Sequence, residues 1–137
     1  MASKFGTPLL DLPLPRERHQ TLGLVLIRRM TAHGPHDARA AMLAMDIAGA
    51  HFRKLLVLCR AYMVDLGTTS RRTIRLAPCC ATGMTRDEGL MVQLFENGGL
   101  DVLAALTDDA PCVAARETAL AYGAELRKLA LRKGWKR

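Results

Sequence analysis

From Ala38 to Leu66 the apolar residues fall alternately four and three apart, at Ala38, Met42, Met45, Gly49, Phe52, Leu56, Cys59, Met63 and Leu66. That spacing stacks side chains along one side of an α-helix. A second stripe runs beside the first, through Ala40, Leu43, Ala44, Ile47, Ala50, Val57, Ala61 and Val64. The polar remainder is narrow, with Arg39, Asp46, Arg53 and Arg60 recurring every seven residues as a solvent edge. The pattern predicts one continuous central helix, His36 to Leu66, on the order of 45 Å long. It would be a spine with neighbours on both sides, stopped by Gly67.

The flanking patterns are shorter. Arg16 to His33 reads as a first helix, with a stripe of Leu22, Val25, Leu26 and Met30 and a stop at Gly34-Pro35. Arg28, Arg29 and His33 lie in or near its last turn, where cations suit the helix dipole. Thr85 followed by Glu88 is a capping-box pattern. It opens a third helix through Leu90, Met91, Leu94 and Phe95 that Asn97-Gly98-Gly99 ends. Leu100 to Leu106 is a short fourth helix. Asp108 and Asp109 precede a last helix from about Pro111 to Lys133, with an apolar set of Val113, Ala114, Leu120, Ala121, Ala124, Leu126, Leu129 and Ala130.

Two stretches escape this periodicity. Residues 1–15 carry Pro8, Pro13 and Pro15 between four leucines, which predicts an extended arm lying across the body or a second subunit. Thr68 to Met84 is a long irregular loop, in which Thr73 to Leu76 alternates as a short strand or extended crossover would. The expectation is therefore an all-α fold. A compact helical bundle, residues 16–137, surrounds one long central helix, with one long irregular loop and an N-terminal arm.

Composition narrows the picture. The chain has 137 residues, half of them apolar but only 4% aromatic, so one domain with a core of Leu, Ala, Met and Val is expected. The net charge of +7 is uneven: residues 68–84 carry +3 and 111–137 carry +5, while 85–110 carry −5. The acidic block can face the basic ones within the fold or an oligomer, or the basic blocks can form a polyanion-binding face. Charges in the central helix exclude a transmembrane segment. The lack of a secretory apolar run and of a dense cysteine framework points to a cytoplasmic protein.

Candidate chemistry is sparse. Arg71, Arg72 and Arg75 in the loop, with Arg132, Lys133, Lys136 and Arg137 at the C-terminus, could clamp nucleic-acid phosphates. The alternative for the loop arginines is pairing with Asp87, Glu88 and Glu96 of the third helix. A helix-turn-helix at the third and fourth helices is rejected, because Leu100 to Thr107 offers no Arg, Lys, Asn or Gln to read bases. Tyr122 and Trp135 are the aromatics able to stack on a base in the basic regions. Trp135 among its cations also resembles a membrane-surface segment, against the simpler reading of a cationic helix end.

The thiol candidates are the adjacent Cys79 and Cys80 and Cys112 in the first turn of the last helix; Cys59 reads as a core residue. No cysteine or histidine spacing supports a metal, no cofactor motif is present, and no catalytic constellation appears. Arg75-Leu76-Ala77-Pro78-Cys79-Cys80, followed by Met84-Thr85-x-Asp87-Glu88, resembles a family of small uncharacterised bacterial helical proteins of unknown function. The resemblance implies no site residues. The reading that fits best is a small binding or regulatory protein that acts through protein–protein contacts, with a protein partner or a second copy as a homodimer. Polyanion binding and a thiol-based redox sensor are the alternatives.

Overall fold

The computed structural model describes residues 10–108 and 113–135. Leu12–Pro13 (β1) is followed by helices Arg18–His33 (α1) and Ala38–Ala48 (α2), a 3-10 turn at Gly49–His51, and helix Phe52–Thr69 (α3). Gly83–Met84 (β2) then leads into Arg86–Asn97 (α4), Leu100–Thr107 (α5) and Val113–Lys133 (α6). The fold is all-α with packed helices, apart from a two-strand antiparallel pairing of β1 with β2, Leu12 opposite Met84 and Pro13 opposite Gly83. The described part of the arm thus lies across the body. Residues 1–9 fall outside the described chain.

The single long central helix is not formed. Gly49 adopts φ 57° and ψ −127°, a conformation that L side chains rarely take, and the helix breaks there. The break exchanges the two stripes. Before it, the second stripe is inward through Ala40 and Ala44, which are buried with Ala48 beside them, while Ala38, Met42 and Met45 of the first stripe are exposed. After it, the first stripe is inward, with Leu56, Cys59 and Leu66 buried and Val57 and Val64 exposed. A continuous helix would have had to bury both. Gly67 does not stop α3 either; the helix runs on to Thr69, with Ser70 as its extended C-cap.

The element at the centre is α6, which packs against α1, α3 and α4. Its inward face is Ala115, Ala119, Tyr122, Leu126 and Leu129, at four-three-four-three spacing, with Gly123 and Glu125 also buried. The expected face through Leu120, Ala121 and Ala124 was displaced because alanine is indifferent to burial, whereas Tyr122 is decisive. At Gly123 a Cβ would come 1.7 Å from the Phe95 carbonyl oxygen, so α4 and α6 cross at a distance that only glycine permits. Glu125 is reached by Lys54 at 3.4 Å and Arg132 at 3.5 Å.

Aromatics are few, yet three of them form the heart of the core. Phe95 meets Tyr122 and Tyr62 edge-on, with ring centroids 5.4 and 6.4 Å apart. The two phenols are fully buried and donate to backbone carbonyls, Tyr62 to Met91 at 2.9 Å and Tyr122 to Gly23 at 2.8 Å. Burial pushes both hydroxyls well above their ordinary pKa, so they act here as fixed donors. Tyr122 is therefore not available to stack on a base.

Candidate functional site

The long irregular connection, residues 70–82 with β2 after it, is fastened to the N-terminal end of α4. The capping box forms as the sequence predicts: Glu88 N–H donates to Thr85 Oγ1 at 3.0 Å, and Thr85 N–H to Glu88 Oε1 at 2.9 Å. The same glutamate is fully buried and receives a fork from Arg28, with Nε at 2.7 Å from Oε2 and Nη2 at 2.8 Å from Oε1. Arg28 also donates to the carbonyls of Ala81 at 3.1 Å and Gly83 at 2.6 Å, and Ala77 N–H donates to Glu88 at 3.0 Å. Arg28 is thus not a solvated helix-end cation. It is 2% exposed and holds the connection against α4. Its place one residue after Ile27 and four after Leu24, on an otherwise apolar face, was the available signal.

Beside this pair, Asp87 accepts two hydrogen bonds from the Arg72 guanidinium and one from Arg75 N–H at 2.8 Å. Burial works to raise the Asp87 carboxyl, but Arg72 and the Arg75 N–H prevail and hold it below its ordinary value. Thr85 Oγ1 donates to Arg75 O at 2.7 Å. Among the described residues, no buried side-chain nitrogen or oxygen lacks a hydrogen-bond partner.

The connection carries the two adjacent thiols at an exposed turn. Ala81 N–H donates to Pro78 O at 3.1 Å, which places Cys79 and Cys80 at the turn's two central positions. Cys79 is half-buried and Cys80 exposed. Arg29 Nη1 lies 3.9 Å from Cys79 Sγ, and Asp37 orients the same guanidinium through contacts at 3.2 and 3.3 Å. Asp37 in turn caps α2 through Ala40 N–H at 2.9 Å. Cys59 is a core residue, as the stripe implies; burial pushes its thiol up to about 12. Cys112 lies outside the described residues.

The basic candidates are divided. Arg71 N–H donates to Thr107 O at 2.8 Å and Arg72 Nε to Ala105 O at 3.2 Å, so this group adjoins the end of α5. Arg132 and Lys133 instead line a cleft with Asp46, Gly49 and His51. Lys136 and Arg137 lie outside the described residues. Trp135 is half-buried and closes a second cleft between the start of α1 and the end of α6, where His19 Nε2 is 2.6 Å from Glu96 Oε1. Among the described residues there is no cluster of three or more His, Cys, Asp or Glu side chains suited to a metal ion. No described helix is long and apolar enough to cross a membrane.

The remaining conspicuous surface is apolar. Met42 and Met45 on α2 are 61% and 49% exposed, and Val57 and Val64 on α3 are 57% and 59% exposed. Met42, Val57 and Val64 sit on their helices opposite the buried stripe, and Met45 lies to its side.

The chain is a small all-helical protein with a pinned connection. It belongs to the family of unknown function DUF6628, which it matches over residues 1–137. That membership agrees with the resemblance at Arg75–Glu88 to a family of unknown function. No curated protein and no solved structure matches the chain.

Proposed function

We propose that this is a binding protein acting through protein contacts, with the outer face of α2 and α3 as the contact surface and a second copy of the chain as its occupant. The observation that carries the reading is the set Met42, Met45, Val57 and Val64, exposed on two helices that are consecutive in the chain and in contact. Single exposed apolar residues are ordinary, but a group of them on neighbouring helices marks an interaction surface. Exposed Arg39, Asp46 and Arg53 on the same two helices carry both signs of charge. A two-fold axis can therefore set an arginine of one copy against the aspartate of the other.

Light scattering across a concentration series tests this, with a mass of two chains expected. Met42→Glu and Val57→Glu should each return a mass of one chain with an unchanged far-ultraviolet circular dichroism spectrum. A wild-type mass of one chain at the highest concentration overturns the self-association. For polyanion binding, Arg72 and Arg132 are already engaged by Asp87 and Glu125, which leaves that reading weaker support. Retention on heparin that falls steeply with salt would favour it.

A further inference from the structure

Four observations converge on the turn at Pro78–Ala81. Its two central residues are both free thiols. The outer one, Cys80, is exposed to solvent-borne reagents, whereas Cys79 is half-buried. The turn cannot easily withdraw, because Ala77 N–H is held by Glu88 before it and the Ala81 and Gly83 carbonyls are held by Arg28 after it. Finally, Arg29 sets a guanidinium 3.9 Å from Cys79 Sγ, itself oriented by Asp37, so that this sulfur lies against a fixed donor. Apart from Asp37, which also caps α2, none of these residues lies on the contact surface of α2 and α3.

We propose that Cys80 and Cys79 form a reversible oxidation site for hydroperoxides. In the first step the Cys80 sulfur attacks the distal peroxide oxygen. The O–O bond breaks, an S–O bond forms, the Cys80 proton passes to the departing oxygen so that alcohol or water leaves, and Cys80 becomes a sulfenic acid. In the second step the Cys79 sulfur attacks Cys80. The S–O bond breaks, an S–S bond forms, and the hydroxyl departs as water with the proton from Cys79. Arg29, itself held by Asp37, acts as a positioning residue that fixes the Cys79 sulfur for this second step. The Cα atoms of adjacent residues are about 3.8 Å apart. This is shorter than the usual span of about 4.4–6.8 Å across a disulfide. The product is therefore strained and easily returned to thiols, as a switch requires and a structural bridge does not. Cys59 provides an internal control, being fully buried with its thiol pushed up to about 12.

Peptide mapping by mass spectrometry tests the site in the full chain carrying Cys112→Ser, treated with hydrogen peroxide. The expected result is loss of two hydrogens from the peptide bearing both cysteines, restored by dithiothreitol, with Cys59 unmodified. Cys79→Ser should leave a Cys80 sulfenic acid that dimedone traps. Arg29→Met with Cys79 present, and with an unchanged circular dichroism spectrum, should lengthen the lifetime of the Cys80 sulfenic acid without slowing its formation. Oxidation of Cys80 no faster than that of free glutathione, or a Cys80 sulfenic acid that never proceeds to the disulfide while Cys79 is present, overturns the proposal.

Discussion

The N-terminal end of α4 and the outer face of α2 and α3 use their side chains in opposite ways. At the first, charged and polar groups are buried, and each is matched: Glu88 takes four hydrogen bonds, and Arg28 gives four. At the second, Met42, Met45, Val57 and Val64 each leave about half or more of their surface in solvent among the described residues. The lesson concerns where binding capacity remains. A buried ion pair whose nitrogens and oxygens all have partners holds structure and has little left to offer a ligand. An apolar face left in water has its burial still to gain.

The strongest way to break this contrast is Arg28→Ala. It strands a buried carboxylate and two backbone carbonyls, and about 3–5 kcal/mol of stability should be lost in urea unfolding. If the loss is under about 1 kcal/mol, water reaches Glu88 and the region is not the clasp described. Replacing both partners, as in Arg28→Met with Glu88→Leu, should not restore stability. Ala77 N–H, Thr85 N–H and the carbonyls of Ala81 and Gly83 would remain unmatched.

Asp87→Asn comes next, at about 1–2 kcal/mol, because the Arg72 side chain it loses is one-third exposed. It also carries a pH signature. The folded-state value of Asp87 lies below the ordinary 3.8, so the unfolded chain takes up the proton first. Its contribution is present above the ordinary value and is lost as pH falls through the lower, folded one. Urea midpoints below pH 4 should therefore drop less steeply in Asp87→Asn than in wild type. A smaller effect, about 1 kcal/mol, is expected for Thr85→Ala, which removes the cap, with Thr85→Ser retaining most of it. On the outer side of α2 and α3, Met42→Glu and Val57→Glu should shift monomer stability by no more than about 0.5 kcal/mol. A larger loss would mean that these side chains belong to the core and not to a contact surface.

How much of this was legible follows from how far apart the partners are in the chain. The capping box at Thr85 and Glu88, the left-handed stop at Gly98 and the pairing of a loop arginine with Asp87 were readable, because each involves neighbours or a strong charge contrast. The pairing of Arg28 with Glu88 was not, since those residues are 60 apart and the glutamate already had a local use. The same holds for the centre of the fold. Alanine-rich α6 gave no sharp face, and its role depends on Tyr122, Gly123 and what Phe95 offers across from them.

By itself, the sequence determined the all-helical class, the irregular connection after α3, most helix ends and the core place of Cys59. These rest on periodicity, capping and backbone preference, which act within a few residues. Only the tertiary structure decided that the two stripes between Ala38 and Leu66 exchange at Gly49, leaving one apolar face in solvent on each side of the break. Both stripes are equally helical in spacing. Which one is buried depends on the packing of α1, α2, α3 and α6, and a four-three pattern carries no information about that.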